Sequence, residues 1–273
     1  MKKIPAFFLI MVLVFGLFSG CGDAEGEART QIVVFAAASL TETLTELGDI
    51  YMQEHPDVSI VFNFDSSGTL KTQIQEGAAC DIFISAGQKQ MDQLDLSAKG
   101  EMNTEGLDFV MSEHRCDLLE NKVVLVVSDE NLSKITSFSS LCDELKRGAC
   151  LLAMGNSDVP VGQYSKKLLD YYGLSEEMLV SRGTVTYASN VKEIATQVKA
   201  SAVDCGILYA TDAFSAGLNV VDTATAEMCG RVIYPAALLN ISSDPQTAAA
   251  FLDFLKTEPA AAIFESVGFT PIP

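Results

Sequence analysis

Two serines at the start of predicted helices are the residues of this sequence best placed to do chemistry. Ser39 follows the apolar run at 32–35, and Ser67 follows the run at 60–64. The start of a helix leaves about four N–H groups without intrahelical acceptors and carries roughly half a positive charge, so it favours an anion. A serine hydroxyl adds a donor there without adding charge. Both segments therefore predict donors for a small oxyanion, and the spacing of Ser39 and Glu42 also matches a capping box.

Three later segments repeat this arrangement. Val161 follows a proline, which is tolerated as the first residue of a helix. Val191 follows Asn190, a predicted N-cap with Glu193 three residues further on. Tyr209 ends an apolar strand with a hydroxyl that could donate. Because ligands of open α/β sheets bind beyond the carboxyl ends of strands, these strand-to-helix junctions are candidates for one site.

Composition excludes several other classes of function. The 273 residues carry 18 Lys and Arg against 36 Asp and Glu, a formal charge of −18. Nucleic-acid binding depends on neutralising phosphates with basic side chains, so no nucleic-acid partner is expected. With only two histidines, sites built on several imidazoles are disfavoured.

The first 20 residues are predicted to be a signal peptide. Lys2 and Lys3 precede a nearly continuous apolar stretch at 4–18, which is short for a membrane span. The ending at 19–21, Ser-Gly-Cys, resembles the lipobox of bacterial lipoproteins, in which Cys21 would be acylated. Residues 21–30 then form a tether. An ordinary signal peptide with an incidental cysteine is the alternative.

Six further cysteines leave their pairing open, because six allow 15 connectivities and buried free thiols are equally compatible with the sequence. Their spacing contains no Cys-x-x-Cys pair, which disfavours a zinc or iron–sulfur site. Cys142 and Cys150 are the first pair to examine. The six are Cys80, Cys116, Cys142, Cys150, Cys205 and Cys229.

Strand and helix patterns alternate after residue 30, which predicts an α/β fold with mostly parallel sheets. The predicted strands are 32–35, 58–62, 81–85, 122–128, 149–154, 205–209 and 232–239. The predicted helices are 40–54, 69–76, 89–96, 163–172, 191–200, 246–256 and 259–267. Gly173 is expected to end the fourth of these helices as a C-cap.

The most specific motifs of the sequence are the run at 35–41 (Phe-Ala-Ala-Ala-Ser-Leu-Thr), the run at 77–86 (Gly-Ala-Ala-Cys-Asp-Ile-Phe-Ile-Ser-Ala) and the ending at 263–269 (Ile-Phe-Glu-Ser-Val-Gly-Phe). These motifs resemble the molybdate-binding proteins of bacterial molybdate ABC transporters. The segments at 64–70, 159–164 and 206–212 are also similar. The resemblance covers essentially the whole mature chain in order.

This resemblance implies a two-lobed periplasmic-binding-protein-like fold of type II, with each lobe a mostly parallel sheet flanked by helices. Lobe 1 would contain residues 31–122 and 232–273, and lobe 2 residues 123–231. Two hinge strands would lie near 122–127 and 232–236. The lobes would close on a tetrahedral oxyanion, with no cofactor and no catalysis.

The resemblance also implies a role for each candidate residue. Ser39 and Ser67 would donate through their hydroxyls and backbone N–H groups, Val161 and Val191 through backbone N–H groups, and Tyr209 through its phenol. Two positions depart from the family pattern. Gly68 stands where a serine is common, and Asn190 where an aspartate often precedes the valine.

The expected function is extracytoplasmic capture of molybdate, together with tungstate, and delivery to an ABC transporter permease. The protein would be a lipid-anchored monomer, and direct metal-ion ligands are not expected. A sulfate- or thiosulfate-binding protein of the same fold is the alternative within the class. A hydrolase using Ser39 is the alternative from another class, but neither His55 nor His114 adjoins a nucleophile motif.

Overall fold

The computed structural model describes residues 29–98, 102–132 and 134–273. The predicted signal peptide, Cys21 and most of the predicted tether lie outside these residues. Within them, no helix combines the length and the apolar character needed to cross a bilayer.

Strands and helices alternate along most of the described chain. The strands are β1 Thr30–Ala37, β2 Val58–Asp65, β3 Ile82–Ile84, β4 Cys116–Asn121, β5 Val123–Val127, β6 Leu152–Gly155, β7 Val185–Ala188, β8 Cys205–Tyr209, β9 Asn219–Thr223, β10 Val232–Leu238 and β11 Thr270–Pro271. The α-helices are α1 Thr41–Glu54, α2 Ser67–Gln75, α3 Gln88–Asp92, α4 Phe138–Arg147, α5 Pro160–Tyr171, α6 Glu176–Ser181, α7 Val191–Lys199, α8 Ala210–Ala216, α9 Ala226–Cys229, α10 Pro245–Phe254 and α11 Glu258–Ser266. The predicted α/β class is confirmed.

The strands form two separate sheets. One has the order β11-β4-β10-β3-β1-β2, and the other the order β7-β6-β8-β5-β9. We call the first sheet with its helices lobe 1 and the second with its helices lobe 2. The chain passes from lobe 1 to lobe 2 at Lys122, between β4 and β5, and returns between β9 and β10.

Both sheets are mixed, so the prediction of mostly parallel sheets is wrong. β1 is parallel to β2 and β3, whereas β10 is antiparallel to β3 and β4. In lobe 2, β6 is parallel to β7 and β8, whereas β5 is antiparallel to β8 and β9. The reason is that β5 and β10 enter their sheets from the other lobe. Parallel pairing requires a helical crossover within one sheet, and these strands have none.

Apolar residues on successive strands place each sheet between layers of helices. All five residues of β5 are buried, as expected for a strand covered on both faces. The sequence patterns did not reveal β4, β7 and β9, which are short or contain polar residues. Gly173 lies just beyond α5 with φ +69°, as predicted for a C-cap.

The cysteines are not bridged in the described part of the chain. All six carry free thiols, Cys142 and Cys150 included, and five of the six are buried. Burial raises the pKa of Cys142 to about 11, which keeps its thiol protonated and unreactive at neutral pH.

Candidate functional site

The five candidate residues line one buried cavity between the lobes. Lobe 1 contributes Ser39 and Ser67, and lobe 2 contributes Val161, Val191 and Tyr209. None of these residues is more than 5% exposed. The cavity is small, so it suits only a small ligand.

Helix starts from both lobes converge on this cavity. Ser39 lies in a 3₁₀ turn before α1, Ser67 is the first residue of α2, Val191 is the first residue of α7, and Val161 is the second residue of α5. Tyr209 immediately precedes α8. First-turn N–H groups lack intrahelical acceptors and lie at the positive end of the helix dipole, so this arrangement favours a bound anion.

The cavity contains no cationic side chain. Among its lining residues in the described chain there is no lysine, arginine or histidine. Asp65 is the charged residue of the lining, and its Oδ1 accepts a hydrogen bond of 2.7 Å from the Ser66 N–H. An anion in this cavity would therefore depend on hydrogen-bond donors and helix dipoles.

A chain of hydrogen bonds orients the Ser39 hydroxyl. The Asn121 Oδ1 accepts from the Lys122 N–H at 2.8 Å, which fixes the orientation of the amide. The Asn121 Nδ2 therefore donates to the Tyr234 Oη at 3.2 Å and to the Thr211 Oγ1 at 2.9 Å. The Tyr234 Oη lies 2.9 Å from the Ser39 Oγ. Because the amide donates to Tyr234, the phenol proton is available for Ser39, and when Tyr234 donates it the Ser39 proton is free to face the cavity.

The roles of Tyr234 and Asn121 were missed by sequence reasoning. The available signals were a tyrosine within an otherwise apolar strand and an asparagine at a strand end. Burial raises the pKa of Tyr234 well above its usual value, so the phenol stays protonated. The predicted capping box of Ser39 and Glu42 is wrong: α1 begins at Thr41, and the Ser39 hydroxyl is bonded to Tyr234.

Two adjacent serines at the start of α2 have different roles: one caps the helix and the other faces the cavity. Ser66 is the N-cap, and its Oγ accepts from the Thr69 N–H at 3.2 Å. The Oγ of Ser67 accepts from the Ala86 N–H at 2.9 Å. A hydroxyl that already accepts a hydrogen bond still holds its own proton, so Ser67 can donate to a ligand.

Lobe 2 presents backbone donors and one phenol. Asn190 is the N-cap of α7, as predicted, and its Oδ1 accepts from the Glu193 N–H at 3.1 Å. This leaves Val191 in the first turn of the helix. The Tyr209 Oη donates to the Ala86 carbonyl of lobe 1 at 3.4 Å, and burial raises the pKa of this phenol well above its usual value. Tyr209 is therefore a protonated donor at the junction of the lobes.

A set of charged residues joins the lobes outside the cavity, and we call Glu42, Lys192 and Asp212 the ionic bridge. The Lys192 Nζ lies 2.7 Å from both carboxylate oxygens of Glu42 and 3.5 Å from the Asp212 Oδ1. Asp212 is 1% exposed, and neither of its carboxylate oxygens accepts a hydrogen bond from the described residues. Burial raises the pKa of Asp212 to about 7, opposed by Lys192 and assisted by Glu42.

The arrangement does not support hydrolysis. A serine nucleophile requires an adjacent base, and the close side-chain partner of Ser39 is a phenol that remains protonated. In the described residues, no cluster of three or more His, Cys, Asp or Glu side chains could hold a metal ion.

The fold and the interlobe cavity define a solute-binding protein. The chain belongs to the family described as bacterial extracellular solute-binding protein, whose model matches residues 32–270. Members of this family are substrate-binding transport proteins, so the chain is a solute-binding protein of an ABC transporter and not an enzyme. Proteins of this family bind their ligand without a cofactor, and they are extracytoplasmic.

Two relatives are similar to this chain over nearly its whole length. The molybdate-binding protein ModA of Escherichia coli (strain K12) is 32% identical over 256 residues, covering 93% of each chain. A Bacillus subtilis (strain 168) protein, YvgL, is named as an ABC transporter substrate-binding lipoprotein and is 30% identical over 280 residues, covering 99% of each chain.

Solved structures show the same fold at lower identity. The periplasmic molybdate-binding protein of Azotobacter vinelandii has a TM-score of 0.74 at 20% identity, covering 89% of this chain and 99% of that one. The sulfate-binding protein SubI of Mycobacterium tuberculosis H37Rv has a TM-score of 0.70 at 16% identity, covering 89% and 88%. The predicted two-lobed fold of type II is confirmed.

Proposed function

We propose that this protein captures molybdate in the cavity between its lobes, with tungstate as a second ligand because the two anions are nearly the same size. One observation carries the proposal: neutral donors from both lobes surround one buried cavity that has no cationic side chain among its described lining residues. Ser39, Ser67 and Tyr209 would donate through hydroxyl groups. Val161 and Val191 would donate through backbone N–H groups, as would the two serines.

The strength of such a site is reasonable for a transport protein. Burying a dianion is costly unless donors saturate its oxygens. Hydrogen bonds to a charged group contribute about 1.5–3 kcal/mol each, so six or seven supply roughly 10–20 kcal/mol before costs. Lobe closure and lost ligand freedom offset a large part of this. A net free energy of about −8 to −12 kcal/mol corresponds to a Kd from micromolar to nanomolar.

Sequence similarity supports molybdate over sulfate. The Escherichia coli relative named as a molybdate-binding protein is 32% identical. The sulfate-binding neighbour, at 16% identity, shares the fold alone. Sulfate therefore remains the ligand that the experiment must discriminate against.

Closure of two lobes about a hinge would be the mechanism of capture. The chain crosses between the sheets at Lys122 and again at 224–231. These crossings support lobes divided at about residues 122 and 232, with hinge strands at the crossings. An anion held by both lobes would stabilise the closed form. The closed monomer, anchored through an acylated Cys21, would deliver the anion to a membrane permease.

Thermal unfolding of the mature protein tests the ligand. It would be measured with molybdate, tungstate, sulfate, thiosulfate, phosphate and a chloride control. A ligand at 100 times its Kd adds about 2.7 kcal/mol to the free energy of unfolding, which is a readily measured rise in Tm. Phosphate is included because the Asp65 carboxylate could accept the proton of hydrogen phosphate.

The outcomes separate the candidates. Stabilisation by molybdate and tungstate alone is the expected result. Stabilisation by sulfate or thiosulfate in place of molybdate would move the protein to the sulfate branch. No shift with any oxyanion would contradict oxyanion binding.

A further inference from the structure

We propose that Gly68 determines how closely the two lobes of this chain approach, because a side chain at this point, where serine is common in the family, would here collide with the Asp158 carbonyl oxygen of lobe 2 at the start of α2. This inference rests on the proposed function, since it assigns Gly68 a positioning role in oxyanion capture. It also makes a prediction about lobe closure that holds without any ligand.

The contact is between backbone atoms of different lobes. A Cβ built on Gly68 would lie 2.2 Å from the Asp158 carbonyl oxygen, 2.9 Å from its carbonyl carbon and 3.1 Å from its Cβ. Real Cβ atoms do not approach other heavy atoms so closely. The obstacle is backbone, so rotation of a side chain could not relieve it, and the lobes would have to move apart.

Backbone conformation does not explain the glycine. Gly68 is the second residue of α2, and it is not among the glycines with positive φ. Glycine in a helix is less favourable than alanine. The close approach of the two lobes is therefore the reason on this structure for a glycine at 68.

Two further residues of lobe 1, Gln90 and Gly87, approach the lobe 2 loop at 158–160, and we call Gly68, Gly87 and Gln90 the seat of this loop. The buried Gln90 donates from its Nε2 to the Asp158 carbonyl oxygen at 3.3 Å. A Cβ built on Gly87 would lie 3.2 Å from the Cβ of Pro160, the first residue of α5. Ser67 and Val161, candidate donors from opposite lobes, adjoin this seat in sequence. The spacing at Gly68 therefore also determines whether both can reach one small anion.

Gly68→Ala tests the role of this residue, with Thr72→Ala as the matched control. Thr72 is an exposed residue one turn further along α2, and its Oγ1 donates to the Gly68 carbonyl oxygen at 3.1 Å. Its replacement by alanine removes this bond within α2 and favours the helix, but adds no atom between the lobes. The first readout is the affinity for molybdate by calorimetry. We expect Gly68→Ala to weaken binding about tenfold or more, as for overpacking of a close contact, and Thr72→Ala to leave it within about twofold.

Stability separates impaired closure from a damaged fold. In an open form the Asp158 carbonyl oxygen would move away from α2, and the alanine would then fit. We expect the Tm of ligand-free Gly68→Ala to equal or exceed that of the parent protein. Gly162→Ala is a useful contrast, because a Cβ there would lie 2.2 Å from the Asn156 carbonyl oxygen within lobe 2. That clash exists in open and closed forms, so it should lower the Tm of the ligand-free protein.

The second readout measures closure without a ligand. Gly87→Cys with Pro160→Cys places the two Cβ atoms 3.2 Å apart in the closed form, so a separation of a few tenths of an ångström brings them within the range of about 3.5–4.5 Å that a disulfide requires. Gly87 has an extended backbone with φ −166°, which a cysteine can adopt. Copper phenanthroline is the oxidant, and the linked peptides are identified by mass spectrometry. We expect this crosslink to form more slowly when Gly68→Ala is added, and at an unchanged rate when Thr72→Ala is added.

The affinity for molybdate and the crosslinking rate distinguish an error in the proposed ligand from an error in the proposed role of Gly68. If the parent protein binds no oxyanion but Gly68→Ala slows the crosslink, the proposed ligand is wrong and the role of Gly68 is supported. If the crosslinking rate is unchanged by Gly68→Ala, the role of Gly68 is overturned, whatever the affinity.

Discussion

The cavity and the ionic bridge both join lobe 1 to lobe 2, but they do so with opposite chemistry. The cavity is lined by hydroxyl and N–H donors that are no more than 5% exposed. In the bridge, the side chains of Glu42 and Lys192 are 52% and 33% exposed. The donors in the cavity are uncharged and shielded from water, whereas Glu42 and Lys192, two of the three charged residues of the bridge, are accessible to water.

This difference indicates which region controls closure. A solvent-exposed ion pair contributes about 0–1 kcal/mol and is screened by salt. Donors that meet an anion in a dry site act in a low dielectric and contribute more. Closure should therefore depend on the ligand, while the bridge adds a small, salt-sensitive bias.

Removing both serine hydroxyls should have the largest effect. In Ser39→Ala/Ser67→Ala, each lost donor to a charged oxygen costs about 1–3 kcal/mol, so molybdate binding should weaken by roughly 2–6 kcal/mol. Calorimetric titration measures the loss. Ser181→Ala, at an exposed serine of lobe 2, serves as the control. Unchanged binding by the double variant, with its fold intact, would show that the cavity is not the site.

Asp212→Asn should have the next largest effect, and on stability rather than affinity. Asp212 keeps its proton up to about pH 7 in the folded protein but loses it near 3.8 when unfolded. Between these values the folded form binds more protons, so this group lowers the free energy of unfolding as pH rises. The variant lacks this dependence and should gain stability over the parent by up to about 1.4 kcal/mol per pH unit from pH 4 to 7.

Denaturant unfolding over that pH range measures the effect. Lys192 and Glu42 face Asp212 in the bridge, and both keep their mutual ion pair in the variant. Asp143→Asn, at an exposed aspartate of α4, is the control. Parallel stability curves for the parent and Asp212→Asn would mean that the buried carboxyl is ionised throughout.

Tyr209→Phe should cause a moderate loss of molybdate affinity, the third largest of the predicted effects. It removes the phenol, whose single proton is donated to the Ala86 carbonyl of lobe 1 at 3.4 Å and would turn to the anion on binding, while the ring stays in place. Molybdate binding should weaken by about 1.5–3 kcal/mol, as expected for a hydrogen bond to a charged group. Since burial keeps the pKa of Tyr209 well above its usual value, the loss should be constant from pH 6 to 9. An affinity equal to that of the parent would remove Tyr209 from the proposed donors.

Local sequence signals predicted the elements around the cavity, and tertiary contacts decided the rest. Asn190 as an N-cap and Gly173 as a C-cap follow from short-range hydrogen bonding, which the sequence displays directly. The junctions that carry Ser39 and Ser67 were recognisable because apolar runs end there in small polar residues. The Asn121–Tyr234 pair was not recognisable, because it joins residues 113 positions apart.

The difference between local sequence signals and tertiary contacts also explains the predictions that were wrong. Ser39 has the spacing of a capping box, but the 3₁₀ turn and the nearby Tyr234 take its hydroxyl away from the helix. The sheets are mixed because β5 and β10 cross between lobes, and periodicity within a strand carries no information about its neighbours. The close approach at Gly68 likewise depends on a loop that is distant in sequence.

Glu42→Gln should have the smallest effect, and it tests the comparison most directly. The variant breaks the exposed Glu42–Lys192 pair but leaves the cavity intact. Molybdate affinity should fall by less than about 1 kcal/mol, and the difference from the parent should shrink as salt rises from 0.05 to about 0.5 M. Glu46→Gln, one turn further along α1 and also exposed, is the control. A loss above about tenfold that persists at high salt would mean that charge at the edge, rather than neutral donors inside, holds the lobes together.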